Sequence, residues 1–331
     1  MTSLRTGPGA PPGHSGKRGD RVAVATTTKA NVKAKGEAAK AVRPRNEKVA
    51  YLFLSPWMFG LVVFSLGPIL VSLYLSFTNY NLLQPPKWIG LENYVHMFTQ
   101  SQLFATSLVD TLEYILISVP IKMVVALAIA LLLSLEVKGI GVYRTVYYVP
   151  SLIGTSVAVA YLWQQMFGPD GLINKGLALV GIHGPNWLAE PRTALFTLAM
   201  LQAWQFGSAM MIFVAGLKQI PESLYEAAIV DGAGRLYRFF RITIPMLSPV
   251  IFFNLIMSII NGFTQFTQGY IVTDGGPLNA TLFFALYLYE EAFNFQNMGY
   301  ASALAWFLLV LVGVLTFLVF RFGSRYVYYE S

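Results

Sequence analysis

The chain alternates between long apolar segments and short polar ones. Mainly apolar segments of about 20 residues or more lie at about 50–76, 109–135, 145–167, 193–217, 247–271 and 299–322. A helix of about 20 residues crosses a hydrocarbon core of about 30 Å and satisfies its own backbone hydrogen bonds in lipid. The pattern lacks the alternating ten-residue strands of a membrane barrel. We therefore predict an all-α fold, a polytopic membrane bundle of six transmembrane helices.

Composition agrees with a membrane protein and narrows the chemistry. Hydrophobic residues make up 55% of the chain and charged residues only 12%, against about 25% charged residues in an ordinary soluble domain. Cysteine is absent, so neither disulfides nor thiol chemistry are expected. The histidines, His14, His96 and His183, are widely separated in sequence. We therefore expect no metal site and no metal catalysis.

The N-terminal segment differs from the rest of the chain. Residues 1–47 are rich in Gly, Pro, Ala, Thr, Lys and Arg and have almost no large apolar residues. Such a composition cannot bury enough surface to offset the entropy of ordering, and the segment lacks the apolar core of a secretory signal. We predict a disordered, basic cytoplasmic tail that favours an anionic inner leaflet, followed by a membrane domain at 48–326.

The distribution of basic residues predicts the orientation of the chain. With the N-terminus inside, the inner segments after the tail carry most of the basic side chains: Lys138, Arg144, Lys218, Arg235, Arg238, Arg241, Arg321 and Arg325. The outer loops carry only Lys87, Lys175 and Arg192. Cytoplasmic loops hold the excess of Lys and Arg in membrane proteins. We therefore expect both termini to be cytoplasmic.

A polar interruption at 219–246 separates the fourth and fifth apolar segments. Pro221 fits the first turn of a helix, and Glu222 beside it complements the positive end of the helix dipole. Gly232 permits the left-handed turn that ends a helix. On that helix the small residues Ala227 and Ala228 share one face with Leu224 and Asp231. The interruption therefore predicts a short amphipathic helix at the cytoplasmic mouth, with a low surface that a partner protein can approach closely.

At these residues the chain resembles a known family. The run Glu226-Ala227-Ala228-x-x-Asp231-Gly232-Ala233, with Phe239, Ile242, Pro245 and Pro249, resembles the EAA signature of permease subunits of ABC importers. Further matches resemble the sugar permeases of the MalF and UgpA type: Ser76-Phe77-Thr78, Gly90-Leu91-Glu92-Asn93-Tyr94, Gly171-Leu172-Ile173-Asn174, Thr273-Asp274-Gly275-Gly276-Pro277 with Thr281, and Gly299-Tyr300-Ala301-Ser302-Ala303. The resemblance covers about residues 48–325 and implies the fold of a type I importer permease, similar to MetI and MalF.

The resemblance also implies partners and roles. Such a permease pairs with a second, homologous permease subunit, two ATPase subunits dock below, and an extracytoplasmic solute-binding protein delivers the solute. ATP and Mg²⁺ then bind to the ATPase, so this chain itself holds no cofactor and is not an enzyme. The location is the bacterial plasma (inner) membrane. The expected ATPase-coupling residues are Glu226, Ala227, Ala228, Asp231 and Gly232.

Candidate solute-binding residues flank the coupling loop. The fourth segment carries Gln202, Trp204, Gln205 and Ser208, and the fifth carries Ser258, Asn261, Gly262 and Gln265. Uncharged amides and hydroxyls beside an aromatic ring suit a sugar. The resemblance places Ser258, Gly262 and Gln265 at lining positions, although an amide is expected where Gly262 stands. Hydrogen bonds between helices are the competing explanation of these polar residues.

Lys122, near the middle of the second segment, has more than one explanation. An ammonium group inside a membrane costs roughly 2.5–3.5 kcal/mol on insertion scales. It could pair with a carboxylate or an anionic solute, reach the membrane surface, or donate to the backbone near Pro120.

The functional prediction is a permease subunit of an ATP-driven, binding-protein-dependent carbohydrate importer that works by alternating access. The alternative is an ion-gradient-driven secondary transporter or channel, which would show intramembrane carboxylates or inverted repeats. Asp110 and Glu113 lie only at a segment edge. A membrane enzyme is disfavoured because no catalytic constellation falls within the bundle. The sequence does not specify which sugar is carried.

Overall fold

The computed structural model describes residues 47–135 and 138–323. The predicted tail therefore lies outside the described residues except for Glu47. The chain divides into two units, residues 1–67 and 68–331. In the first unit, helix α1 (Glu47–Gly60) is followed by a π-helical turn (Leu61–Leu66).

Among the described residues, the second unit consists of helices, their connecting loops and one small hairpin. Its first part comprises α2 (Gly67–Ser76), β1 (Thr78–Asn79), β2 (Lys87–Trp88), α3 (Glu92–Thr99), α4 (Gln102–Leu133), α5 (Ile140–Ile153), α6 (Val157–Met166) and α7 (Leu172–Leu179). The remainder comprises α8 (Pro191–Trp204), α9 (Gly207–Leu217), α10 (Glu222–Val230), α11 (Arg235–Arg238), α12 (Ile244–Met246), α13 (Ser248–Phe263), α14 (Phe284–Tyr289) and α15 (Met298–Gly323). Further π-helical turns lie at Phe239–Thr243, Gly269–Thr273 and Glu290–Asn294. The strands β1 and β2 pair antiparallel.

Three of the six predicted spans are single helical stretches in the structure. Tyr51–Ser76, Gln102–Leu133 and Met298–Gly323 are each long and apolar enough to cross a membrane. Helix α4 begins at Gln102, earlier than the apolar pattern predicted, because Ser101 Oγ accepts a hydrogen bond from Phe104 N and caps it. These stretches agree with the predicted membrane bundle.

The other three spans are broken. Helices α5 and α6 meet at an angle of 95°, and α8 and α9 at 45°. In the fifth segment, predicted at 247–271, the helix α13 ends at Phe263 and is bent by 65° from Arg235–Met246. The apolar pattern did not reveal these breaks because apolar residues continue across them, whereas the backbone turns at short polar sites such as Ser156, which caps α6.

Helix α4 is central to the second unit. It packs against α8, α9, α13 and α14. The apolar core contains Tyr114 and Ile115 of α4 together with Leu198 of α8 and Phe263 of α13. Thr111 Oγ1 accepts a hydrogen bond from Phe284 N at 2.8 Å, which gives a partner to a backbone N–H group in the first turn of α14. Helix α4 therefore holds the broken helices in place.

Three of the sequence motifs contact one another around the hairpin. Asn93 Nδ2 donates to the carbonyl oxygens of Ser76 and Thr78, at 2.9 and 3.0 Å. Gly299 N donates to Tyr80 O at 3.0 Å. A Cβ atom at Gly299 would collide with Thr78 O, so only glycine allows the first turn of α15 to approach this closely. These motifs join distant parts of the chain.

Candidate functional site

Three helix interruptions and the middle of α4 converge on one cavity of about 340 Å³. Its lining comes from the α5–α6 and α8–α9 breaks, from the end of α13, the three non-helical residues after it and the helical turn that follows, and from Lys122. The lining residues are Lys122, Ser151, Thr155, Gln202, Gln205, Ser208, Asn261, Thr264, Gln265, Phe266, Thr267 and Gln268. All but Phe266 are polar or charged, in a chain that is 55% hydrophobic.

Side chains at the cavity satisfy the backbone groups that the breaks release. Ser151 Oγ donates to Gln205 O at 3.0 Å and accepts from Ser208 N at 3.0 Å. Gln205 Nε2 in turn donates to Gly154 O at 3.0 Å. Non-helical backbone at membrane depth is tolerated where it is buried in protein or lines a polar cavity. These reciprocal bonds fix the two breaks against each other and set the shape of this wall.

The structure brings together five of the eight residues predicted to line the solute: Gln202, Gln205, Ser208, Asn261 and Gln265. Gln205 also forms the interhelical bond to Gly154 that the competing explanation foresaw. Their role in solute binding stays a prediction.

The other three predicted residues lie away from the cavity wall. Trp204 packs in the apolar core beside Trp163, with ring centroids 6.1 Å apart. Ser258 is buried on α13. Gly262 faces Ile115 of α4, whose Cγ1 would lie 2.5 Å from a Cβ atom added at that glycine. The resemblance placed Ser258 and Gly262 at lining positions through an ungapped match, whereas in the structure the stretch that follows Phe263 lines the cavity.

Sequence reasoning missed several lining residues, among them Ser151, Thr155 and Phe266. The polar run Thr264-Gln265-x-Thr267-Gln268 was the available signal, since it interrupts an apolar segment. Gln268 is 2% exposed, and its Oε1 accepts no hydrogen bond from any described residue. The cavity lining therefore includes a residue with a buried, unpaired acceptor.

Lys122 is the one charged residue in the cavity lining that the structure describes. It follows Pro120 within α4 and is half-buried. Within residues 47–135 and 138–323, its ammonium group forms neither an ion pair nor a hydrogen bond to backbone. A hydrogen bond from Lys122 to the backbone near Pro120 was one of the explanations expected from the sequence. The described residues contain no such bond.

The predicted coupling loop contains the expected helix and turn. Gly232 has a φ of 77°, in the left-handed region. Ala233 N donates to Ala228 O at 2.8 Å and Gly232 N donates to Ile229 O at 3.0 Å, which is the paired arrangement of a Schellman motif. The helix α10 therefore ends at a turn that depends on the glycine.

The coupling loop exposes apolar side chains. Val230 is 87% exposed and Leu236 75%. The predicted contact residues Glu226, Ala227, Asp231 and Gly232 are also exposed, and Ala228 is half-buried. Tyr225 and Thr243 share a hydrogen bond of 2.9 Å between their hydroxyl groups, which ties α10 to the returning chain. An apolar patch beside acidic residues is typical of a protein-binding surface.

A second cavity of about 270 Å³ lies beside the hairpin. Its lining includes Glu92, His96 and Glu291, and Asn297 Nδ2 donates to Glu291 Oε2 at 2.9 Å. Burial, reinforced by Asp274 and Glu291, raises the pKa of the neighbouring Glu290. Among the described residues no group of three His, Cys, Asp or Glu side chains could hold a metal ion.

Comparisons with known proteins agree with these features. A family profile described as "Binding-protein-dependent transport system inner membrane component" matches residues 100–327. The chain is 50% identical over 290 residues to the probable ABC transporter permease protein YesP of Bacillus subtilis, covering 87% of this chain and 94% of that protein. It is 33% identical over 279 residues to the trehalose/maltose transport system permease protein MalF of Thermococcus litoralis, covering 83% and 92%.

A solved structure shares the fold. It belongs to a bacterial ABC transporter involved in the import of the acidic polysaccharide alginate. The match has a TM-score of 0.73 and 22% sequence identity, and covers 85% of this chain and 96% of that chain. The likeness confirms the all-α fold of an importer permease.

Proposed function

Since this chain belongs to the family of binding-protein-dependent transport system inner membrane components, we propose that it is the solute-translocating permease subunit of an ATP-driven carbohydrate importer. Members of this family are permease subunits rather than enzymes. The chain is accordingly a multi-pass membrane component of an ABC importer.

The observation that carries the proposal is the convergence of three helix interruptions on a polar cavity. Amide and hydroxyl groups such as those of Gln202, Asn261 and Gln265 supply donors and acceptors for sugar hydroxyls, and Phe266 supplies an aromatic face. Broken helices whose interruptions meet at one site are a recurrent way to bind a solute within a membrane. The similarity to the trehalose/maltose transport system permease protein of Thermococcus litoralis supports a carbohydrate as the solute.

In this proposal the coupling loop connects the permease to the ATPase that drives transport. Helix α10 and its glycine turn dock on a separate ATPase subunit, with Glu226, Ala227, Ala228, Asp231 and Gly232 as contacts. ATP and Mg²⁺ bind to that partner. The exposed Val230 and Leu236 would be covered in the complex, which removes apolar surface from water.

The complete importer has further subunits. A second, homologous permease covers the open side of the cavity, and an extracytoplasmic binding protein delivers the solute. Both termini of this chain face the cytoplasm, on the same side as the coupling loop. Closure of the ATPase pair then moves the cavity from one side of the membrane to the other.

Reconstitution into liposomes tests the proposal. We expect solute uptake to need ATP, both permeases and the ATPase, and to be stimulated by the binding protein. Uptake by this chain alone, driven by a proton or sodium gradient and indifferent to ATP, would instead establish an ion-gradient-driven transporter.

A further inference from the structure

Lys122 has no counter-ion in the part of the chain that the structure describes. The two nearest carboxylates along its own helix are Asp110 and Glu113, which lie about 18 and 13 Å away along α4 at a rise of about 1.5 Å per residue. An ammonium group within a membrane-spanning helix is costly when it has no partner, so intramembrane lysines commonly pair with another group or mark a solute pathway. The structure places this cation at a cavity.

The cavity around Lys122 is otherwise uncharged. Its remaining lining contains amides, hydroxyls and one phenyl ring, with no carboxylate among the described lining residues. A single positive charge in a partly buried site attracts an anion more strongly than it would in water, because the effective dielectric constant is lower there. A neutral sugar can accept hydrogen bonds from this ammonium group, but only an anion also neutralises its charge.

Gln268 provides a second, independent feature of the same cavity. Its side chain is 98% buried, and its Oε1 atom has no hydrogen-bond donor among the described residues. An unpaired buried acceptor is unfavourable, and a solute hydroxyl would satisfy it. A solute with an anionic group for Lys122 and a hydroxyl group for Gln268 is a saccharide that carries an acidic group.

We propose that the solute of this permease is an acidic saccharide, such as an oligosaccharide containing a uronic acid, whose carboxylate pairs with Lys122 while a hydroxyl donates to Gln268. This inference rests on the proposed function and specifies its substrate class. Lysine suits the role because its ammonium group is a compact point charge with three donors. It can therefore pair with a carboxylate without a bidentate geometry. The proposal makes Lys122 a determinant of specificity.

The test uses the reconstituted importer with its partner permease, ATPase and binding protein. Partial hydrolysates of pectin, glucuronoxylan, arabinogalactan and starch, mixed in equal mass, supply matched acidic and neutral oligosaccharides. Mass spectrometry then identifies the species that accumulate in an ATP-dependent manner. We expect acidic oligosaccharides to dominate, and neutral ones to remain outside.

Variants test whether Lys122 causes the preference for acidic oligosaccharides. The substitution Lys122→Met should lower uptake of the acidic species about 10- to 100-fold, the factor that a hydrogen bond to a charged group contributes. Lys122→Arg keeps the charge and should retain most of the uptake. Lys175→Met, at an exposed position on α7, is the matched control and should change nothing. Gln268→Leu should weaken uptake without reversing the preference for acidic species.

The possible contrary results are distinct. Predominant import of neutral oligosaccharides by the unmodified importer would overturn the inference, as would full uptake of acidic ones by Lys122→Met. Loss of the partner permease from purified Lys122→Met complexes would assign the counter-ion to that subunit and also overturn it. Absence of any ATP-dependent import would instead count against the proposed function itself.

Discussion

The glycine turn that ends α10 offers a graded test of coupling. Gly232 has a φ of 77°, which costs an L-residue such as alanine about 1–2 kcal/mol. No described atom lies within 4 Å of a Cβ atom built at Gly232, so the cost is conformational and involves no steric clash. A penalty of about 1.4 kcal/mol lowers the equilibrium constant between the native turn and its alternatives tenfold. The hydrogen bond from Ala233 N to Ala228 O weakens with it, because the bond forms only in the native turn.

We therefore expect Gly232→Ala to raise the number of ATP molecules hydrolysed per solute imported, and the β-branched Gly232→Val to raise it further. Gly232→Asn should be milder, because asparagine tolerates the left-handed region. The matched control is Gly234→Ala, since Gly234 has an ordinary φ of −69° and equally open surroundings. All four variants should reach the membrane in normal amounts. Unchanged uptake and coupling in Gly232→Val would refute the role of the turn.

Two further predictions concern the cavity lining and the contact between Gly299 and the hairpin. Gln205→Ala leaves Gly154 O without its hydrogen-bond donor. This variant should lower the free energy of unfolding by about 1–3 kcal/mol and should also reduce uptake. The side-chain amide of Gln202 has no partner among the described residues, so Gln202→Ala should reduce uptake alone. Equal thermal midpoints of the two purified variants would contradict this division. Gly299→Ala forces a Cβ atom against Thr78 O and should lower the amount of assembled protein, by an overpacking cost of about 1–3 kcal/mol, as measured by quantitative immunoblotting of membranes.

The sequence predicted the membrane bundle and the coupling loop well, for physical reasons. Hydrophobicity along the chain reports the length of each span directly, because lipid imposes that length. The turn at Gly232 was predictable as well, since few residues other than glycine adopt its conformation. Both features depend on local sequence.

The cavity was only partly predictable, because it depends on where helices break. The stretch that follows Phe263 turns Gln265 and Gln268 into the cavity, whereas a continuous helix would have placed Gly262 there as well. Apolar residues continue across these breaks, so hydropathy does not mark them. The approach of Lys122 to the same cavity depends on tertiary packing around α4, which no local pattern records.

The central claim is that one polar cavity alternates between the two sides of the membrane as the ATPase partner closes. The chain contains no cysteine, so single substitutions can report accessibility without further engineering of this subunit. Asn261→Cys places a thiol in the cavity lining, and Val310→Cys, on an exposed apolar face of α15, serves as the control. The assay measures labelling by a membrane-impermeant thiol reagent from each side, with the ATPase nucleotide-free or trapped with vanadate. We predict that the Asn261→Cys thiol reacts from one side of the membrane in the nucleotide-free state and from the opposite side in the vanadate-trapped state. Labelling from the same side in both states, at equal rates, would contradict it.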